Sequence, residues 1–114
     1  MFVVSEIQLP VGKQLTVELP IGAKFTAAVV GIDGQPYLVM LHDTDNKIMV
    51  KKTIFVFPAG VPFGAGVTSI EYVGSIVIPT AVDKQLRLHI CVCEGTPLVL
   101  DGALPEASHK GVIV

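Results

Sequence analysis

The stretch "LRLHICVC", residues 86–93, alternates apolar side chains with side chains of other kinds. Successive side chains of a β-strand point to opposite faces. One face of such a strand would carry Arg87, His89, Cys91 and Cys93. The opposite face would be wholly apolar, with Leu86, Leu88, Ile90 and Val92. This spacing fits a buried strand and also fits a metal or redox site on the His-x-Cys-x-Cys face. We favour the buried strand.

The rest of the chain repeats this pattern. Alternating and β-branched runs recur about every ten residues between Gly, Pro and Asp, and no segment shows a sustained helical period. The spacing predicts an all-β fold, namely a small antiparallel sandwich or barrel of about seven or eight strands. The candidate strands are Phe2–Gln8, Lys13–Leu19, Lys24–Gly31, Pro36–His42, Lys47–Phe57, Val67–Ile78, Gln85–Cys93 and Leu98–Leu100.

Two polar connections stand out between these strands. In "VVGIDGQPYLVML", residues 29–41, Asp33-Gly34 separates two apolar runs, and glycine accepts the positive φ that a tight hairpin turn needs. The segment "HDTDNK", residues 42–47, predicts a second turn. Its acidic residues lack the glycine and the distal glutamate of a calcium loop, so we expect no metal there.

The segment "PAGVPFGAG", residues 58–66, is a long uncharged loop rich in glycine and proline. It lacks the Gly-Lys-Ser/Thr of a phosphate-binding loop. Val61 and Phe63 would be exposed unless another surface covers them. Two interpretations remain open: a hairpin connection packed into a subunit interface, or a lid or pocket wall.

Composition limits the possible partners. The chain of 114 residues is 51% hydrophobic and 16% charged, which favours one domain that hides surface in a homo-oligomer. The net charge is −2 and Lys51-Lys52 is the only adjacent basic pair, so we expect no nucleic-acid partner.

A membrane span is the next alternative. Thr53–Ile70 is long enough to be considered, but its prolines and glycines argue against a helix. The segment "MFVVSEIQLP", residues 1–10, has no basic region and does not resemble a signal peptide. We therefore expect no membrane association, and we expect a cytoplasmic location.

The candidate chemistry of the chain is sparse. Steps of about 7 Å between alternate strand residues make His89, Cys91 and Cys93 poor joint ligands for zinc, and the fourth ligand would have to be His42 or His109. A disulfide between the cysteines is disfavoured by distance, so we expect two reduced, packed thiols. Serines and histidines that could act in nucleophilic catalysis are scattered single residues: Ser5, Ser69, Ser75, Ser108, His42, His89 and His109. We expect no enzyme, no metal and no cofactor.

A ligand-binding site needs fewer groups, because a cleft can hold a ligand with a few convergent polar side chains. Cationic donors for a phosphate or carboxylate could come from Lys51, Lys52, Arg87 and His89, if their strands are neighbours. Gly60, Pro62 and Phe63 of the uncharged loop would complete such a site. The alternative is that the basic residues form the solvated face of two strands.

The end of the chain changes character. We predict a single β domain over residues 1–101 and a C-terminal tail over residues 102–114. The tail ends in "GVIV", residues 111–114, which we expect to dock as a short strand on its own sheet or on a neighbouring subunit.

Four segments in order carry a family resemblance: "ELPIGAKFTAAVVGIDGQPYLVMLHD" (18–43), "TIFVFPAGVP" (53–62), "IEYVGSI" (70–76) and "LRLHICV" (86–92). Together they resemble a small uncharacterised domain family of tailed bacteriophages and prophages. That family shows a P-x-G-A-K entry, a hairpin ending in aspartate, a glycine-rich G-T-G-H-P loop, a Y-I-G-T strand and a last strand with His before an aromatic residue. The matching residues here are Gly22, Ala23, Lys24, Asp33, Gly34, Asp43, Gly60, Pro62, Tyr72, Gly74 and His89.

The chain also departs from the family pattern. It has no tryptophan in the second hairpin strand, and Pro58 and Val61 replace a Gly and a His of the loop. The resemblance covers roughly residues 2–93. It implies a phage origin and a compact β domain, it implies no activity, and it favours a positional role for His89 over a zinc site.

Two functions follow as expectations. The first is a non-catalytic, homo-oligomeric phage protein that acts in the infected cell, either by sequestering a small signalling ligand or by binding a host protein. The second is a structural or decoration protein of the virion, whose loops and tail complete sheets across neighbours.

Overall fold

A computed structural model describes residues 1–11, 13–64, 66–67, 69–79 and 84–94. These residues form seven β-strands in two antiparallel sheets, which confirms the predicted all-β sandwich. The strands are β1 (Phe2–Gln8), β2 (Gln14–Pro20), β3 (Lys24–Val30), β4 (Pro36–Asp43), β5 (Met49–Phe57), β6 (Ser69–Pro79) and β7 (Gln85–Glu94). All seven predicted counterparts agree with these bounds to within two residues. The eighth candidate, Leu98–Leu100, and the predicted tail lie outside the described residues.

The order of the strands was not evident from the sequence. One sheet has the order β1-β4-β3 and the other the order β2-β5-β7-β6. Every neighbouring pair is antiparallel. Below, the outer face of a sheet is the side turned away from the other sheet.

The hydrophobic core lies between the two sheets. Alternate residues of each strand point into it, as the period of two requires. Its fully buried members include Ile7, Leu19, Leu38, Met40, Ile54, Val56, Leu88 and Ile90. Burial of each large apolar side chain contributes about 1.5–3 kcal/mol before the entropic cost of ordering it. The apolar face predicted for β7 is therefore part of the main core.

The connection between β3 and β4 is the predicted hairpin. The Gly31 amide donates to the Gln35 carbonyl at 2.8 Å, and the Gly34 amide donates to the Gly31 carbonyl at 2.9 Å. Gly34 has φ of +77°, the left-handed conformation that glycine adopts without strain. The Asp33 carboxylate accepts hydrogen bonds from the Gln35 amide at 3.1 Å and from Tyr37 Oη at 2.6 Å.

The connection between β4 and β5 is the predicted polar turn, but it crosses from one sheet to the other. The Asp43 carboxylate accepts a hydrogen bond from the Asp45 amide at 3.0 Å. Asn46 Nδ2 donates to the Ile21 carbonyl at 2.9 Å, which links the turn to the connection between β2 and β3. The side chains of the turn thus close the end of the sandwich.

The glycine-rich loop between β5 and β6 is not a hairpin connection, so that interpretation was wrong. Both strands pair with β7, which lies between them. The loop starts where β5 faces His89 and ends where β6 faces Glu94. The described part of this connection therefore passes along β7, and we call residues 58–64, 66 and 67 the crossover loop.

The 53–70 run considered as a membrane span forms β5, the crossover loop and the start of β6. Among the described residues, none forms a helix of the length and apolar character that crossing a membrane requires.

The β3–β4 hairpin leaves no room for a side chain at Gly31. A Cβ there would lie 2.5 Å from the Tyr37 ring and 2.8 Å from Asp33 Oδ1. We expect Gly31→Ala to displace the Tyr37 ring, break its hydrogen bond to Asp33 and lower the free energy of unfolding by about 1–3 kcal/mol. Urea denaturation measures this loss. Gly74→Ala is the matched control, because a Cβ at Gly74 meets nothing within 4 Å.

The same variant has a titration signature. The hydrogen bond to Asp33 raises the pKa of the Tyr37 phenol above its ordinary value. Once the ring is displaced, the phenol should ionise at lower pH. Ultraviolet titration of Gly31→Ala in a Tyr72→Phe background isolates Tyr37, and an unchanged titration curve would contradict this account of the hairpin.

Candidate functional site

The outer face of the four-stranded sheet carries the candidate site. The crossover loop covers part of this face. Phe55 and Phe57 of β5 and the two cysteines of β7 are buried there. Val61, Phe63 and Val67 of the loop pack on them. The sheet thus has a second, smaller hydrophobic core outside the sandwich.

The two cysteines belong to this small core. Cys91 and Cys93 are 3% and 1% exposed and are not bonded to each other. Burial raises the pKa of both thiols, so less thiolate is present near neutral pH. Within the described part of the chain, no three His, Cys, Asp or Glu side chains are arranged to hold a metal ion. The His-x-Cys-x-Cys pattern here is the pleat of a buried strand.

An aromatic row leads from the small core to solvent. Its members, in spatial order, are Phe55, Phe63, Phe57, His89 and Tyr72. The Phe57 and Phe63 ring centroids are 4.1 Å apart, and Phe63 lies 5.1 Å from Phe55. The His89 ring lies 6.1 Å from Phe57 and 5.9 Å from Tyr72. These spacings are those of interacting rings.

The solvent-facing end of the row is polar. Tyr72 Oη and His89 Nδ1 share a hydrogen bond of 2.8 Å, in which the phenol donates when the imidazole proton is on Nε2. Arg87 Nη1 donates to Ser75 Oγ at 3.4 Å. Tyr72 is 57% exposed and Arg87 is also exposed, whereas His89 is half-buried. We call Tyr72, Ser75, Arg87 and His89 the ligand patch.

Strand register brings these four residues together. Ser75 lies opposite His89 and Tyr72 lies opposite Cys91 in the β6–β7 pair, so their side chains share the outer face. A register shift between Tyr72 and Gly74 keeps Tyr72 on that face while Val73 packs toward the main core. Neither Tyr72 nor Ser75 was predicted as a site residue. The alternation in β6 was visible in the sequence, but its partner strand was not.

The four basic candidates do not form one cluster. Arg87 and His89 lie together, whereas Lys51 lies on the same face near the opposite end of the sheet, roughly 25 Å away along the strands. Lys51 lies opposite Glu18 in the register of β2 and β5. Lys52 points the other way, toward the space between the sheets.

Lys52 has local partners there. Its side chain is 16% exposed, its Nζ lies 3.9 Å from Glu94 Oε1, and it lies 5.6 Å from the centre of the Phe25 ring. These contacts make Lys52 part of the sandwich. The basic pair predicted from sequence is thus divided between two faces, since adjacent strand residues point to opposite sides.

Three residues of the crossover loop, Gly60, Pro62 and Phe63, were also predicted as site residues. Phe63 is a member of the aromatic row. Gly60 has φ of +85°, which the turn at the start of the crossover loop requires, and Pro62 is exposed. Through Phe63 and Phe57 the loop lies next to the His89 end of the aromatic row. The lid or pocket-wall interpretation stays a prediction.

A serine and a histidine that looked unrelated in sequence also meet. Ser5 Oγ and His42 Nε2 are 3.0 Å apart across β1 and β4. His42 Nδ1 is buried and has no hydrogen-bond partner within the described part of the chain. Nucleophilic serines use a histidine whose other nitrogen is held by a third group. We therefore interpret the pair as a cross-strand hydrogen bond of the sandwich.

A scan of protein-family models found no match to this chain, and searches of curated proteins and of solved structures found none either.

Phe63 anchors the crossover loop on Phe55 and Phe57, in the cluster that also buries the cysteines. We expect Phe63→Ala to lower the free energy of unfolding by about 2 kcal/mol, less than for a fully buried phenylalanine. It should also speed the reaction of Cys91 and Cys93 with dithiobis(nitrobenzoate), because the thiols lose their cover. The absorbance of the released thiolate at mildly alkaline pH measures the rate.

The matched control is Phe2→Ala, which removes a phenylalanine that is 70% exposed on the other sheet. Its labelling rate should equal that of the unsubstituted protein. Equal rates for the Phe63 and Phe2 variants would refute the role of Phe63 as the anchor of the loop.

Proposed function

We propose that this protein is a non-catalytic, homo-oligomeric binding protein encoded by a phage, which sequesters a small anionic ligand with a planar ring in the infected cell. The chemical class that fits is a nucleotide. The observation that carries the proposal is the juxtaposition of Tyr72, His89 and Arg87 on one supported face.

The ring of such a ligand has a place to stack. The Tyr72 side chain is more than half exposed, and its hydroxyl is held by His89. A ring held in one orientation loses little entropy when a ligand stacks on it. Aromatic stacking on a nucleobase contributes about 1–3 kcal/mol. Tyr72 can therefore select for a planar group.

The anionic part of the ligand has a partner in Arg87. Its guanidinium is exposed, its hydrogen bond is to the neutral Ser75 hydroxyl, and no carboxylate of the described residues lies within ion-pair distance of it. A guanidinium binds phosphate or carboxylate with two parallel N–H donors. Ser75 Oγ–H and a ring nitrogen of His89 are available as further donors.

The site supports binding rather than catalysis. Ser75 interacts with Arg87, and His89 interacts with Tyr72, so the patch contains no hydrogen-bonded serine–histidine pair. The apolar composition supports self-association, and the family resemblance supports a phage origin.

Isothermal titration calorimetry that compares nucleotides with a nucleoside alone and with phosphate alone tests this proposal. The ligands are the four common ribonucleoside monophosphates, their cyclic dinucleotides, adenosine and inorganic phosphate. We expect at least one nucleotide to bind more tightly than either adenosine or phosphate, because only the nucleotide engages both halves of the patch. Arg87→Ala should weaken nucleotide binding about tenfold or more, since a charge-assisted hydrogen bond is worth about 1.5–3 kcal/mol.

Two controls assign the effect to the patch. Lys51→Ala removes a cation from the distant end of the same face and should leave affinity unchanged. Tyr72→Ala should weaken adenosine and nucleotide alike, whereas Arg87→Ala should leave adenosine unaffected. Absence of binding by all these ligands would refute ligand capture, and the host-protein form of the function would then be tested by pulldown from infected cells.

A structural role in the virion is a second candidate. The outer face of the three-stranded sheet exposes Phe2 and Val4, and such a face suits permanent assembly with neighbours. Mass spectrometry of purified particles distinguishes the two functions. Stoichiometric abundance in particles favours the structural role, and early expression without incorporation favours ligand capture.

A further inference from the structure

The outer face of the three-stranded sheet is apolar although solvent can reach it. Phe2 and Val4 of β1 are 70% and 66% exposed. The same face continues through Leu41 and Val39 of β4 and through Ala27 and Val29 of β3. An open face of an antiparallel sheet normally carries polar side chains. A contiguous apolar face therefore indicates an interaction surface.

Two charged residues of this face are free of ion pairs within the described part of the chain. Glu6 of β1 lies opposite Val39, and Lys24 of β3 lies opposite Leu41. They are thus on opposite sides of β4, about 10 Å apart across the sheet and one two-residue step apart along it. A further charge of this face, the Asp43 carboxylate opposite Phe2, is paired with the Met1 amino group at 3.0 Å. Glu6 and Lys24 are thus the charges of the face that lack an ion pair, and they lie in a diagonal arrangement.

A cleft of about 440 Å³ lies at one end of this face. Phe2 lines it from the β1 side, and Ile21, Gly22 and Lys24 line it from the β3 side. Gly22 has φ of +81°, and a Cβ there would meet nothing within 4 Å, so this wall is open. The cleft is large enough for a phenylalanine side chain.

We propose that a second copy of this chain packs on this face, sheet against sheet, about a two-fold axis parallel to β4. Aligned packing of two sheets is a common arrangement, and a two-fold interface uses the same surface on both subunits. The inference rests on the self-association part of the proposed function and is independent of ligand capture.

The two-fold axis makes the face complementary to itself. It exchanges the β1 side with the β3 side and keeps the ends of the sheet aligned. Phe2 of the second copy then lies over the start of β3, where the cleft is. Glu6 of each copy lies diagonally across from Lys24 of the other, within reach of a lysine side chain.

The charges favour this axis over a two-fold axis perpendicular to the strands. A two-fold axis perpendicular to the strands would place β1 over β1 and β3 over β3. Glu6 would then approach Glu6 of the second copy, and Lys24 would approach Lys24. Only the axis parallel to β4 pairs opposite charges.

Analytical ultracentrifugation over a range of protein concentrations tests the interface. The unsubstituted protein should be a dimer, or a larger oligomer that contains this dimer. Val4→Asp should weaken the dimer about tenfold or more, because it buries an unpaired carboxylate in the apolar contact. Val77→Asp is the matched control, since Val77 lies on the outer face of the other sheet, and its association should be unchanged.

Charge reversal tests the axis itself. Glu6→Lys and Lys24→Glu should each weaken association, and the double variant should restore it. Thermal unfolding monitored by circular dichroism checks that every variant is folded. If Val4→Asp abolishes the dimer but the double variant of Glu6 and Lys24 does not regain association, the two-fold arrangement would be overturned.

Other outcomes separate this inference from the proposed function. A monomeric unsubstituted protein would overturn the interface and the self-association together. A monomer that is strongly destabilised by Val4→Asp would indicate that residues 95–114 of the same chain cover the face. An oligomer that survives Val4→Asp but is lost in Val77→Asp would overturn this interface alone. Nucleotide binding is measured on the unsubstituted protein and on Val4→Asp, because Val77 lies opposite Arg87 of the ligand patch.

Discussion

The structure depends on the burial of β7 on both of its faces. This strand lies inside the four-stranded sheet, and one of its faces belongs to the main core through Leu88, Ile90 and Val92. The other face of β7 carries Cys91 and Cys93 and is turned away from the main core. Without a cover on this outer face, both cysteines would be exposed to solvent. The crossover loop packs Val61, Phe63 and Val67 on the cluster that contains them, and both cysteines are buried. Such double burial is unusual for an antiparallel sheet, which often exposes one face.

The path of the loop follows from the order of the strands. Because β7 separates β5 from β6, the chain must cross β7 to begin β6, and an uncharged crossing segment can pack on the apolar outer face it meets. The crossing also ends the covered part of the sheet. Beyond it lie His89 and Arg87, where the aromatic row reaches solvent. The position of the ligand patch is therefore a consequence of how a buried strand is covered.

The two outer faces of the sandwich differ in how their apolar side chains are covered. The four-stranded sheet is partly covered by a loop of its own chain, and its uncovered end is polar. The three-stranded sheet has no such cover among the described residues, and its outer face exposes Phe2 and Val4. A protein in which about half of the residues are hydrophobic has too little polar surface to coat both faces. Self-association is the physical answer that we infer for the face left open.

Much of the fold was determined by the sequence itself. Alternation with a period of two depends only on local geometry, so it indicated the seven strands and the face on which His89 and the cysteines lie. The turn chemistry of Asp33-Gly34, which is also local, located the hairpin. The pairing of distant strands decided everything else. It placed β7 between β5 and β6, turned an expected hairpin into a crossover, separated Lys51 from Arg87, and brought Tyr72 to His89. Local patterns carry no register between strands far apart in the chain. That register is set only when the faces pack together, because the buried apolar area and the paired backbone groups exist only in the folded molecule.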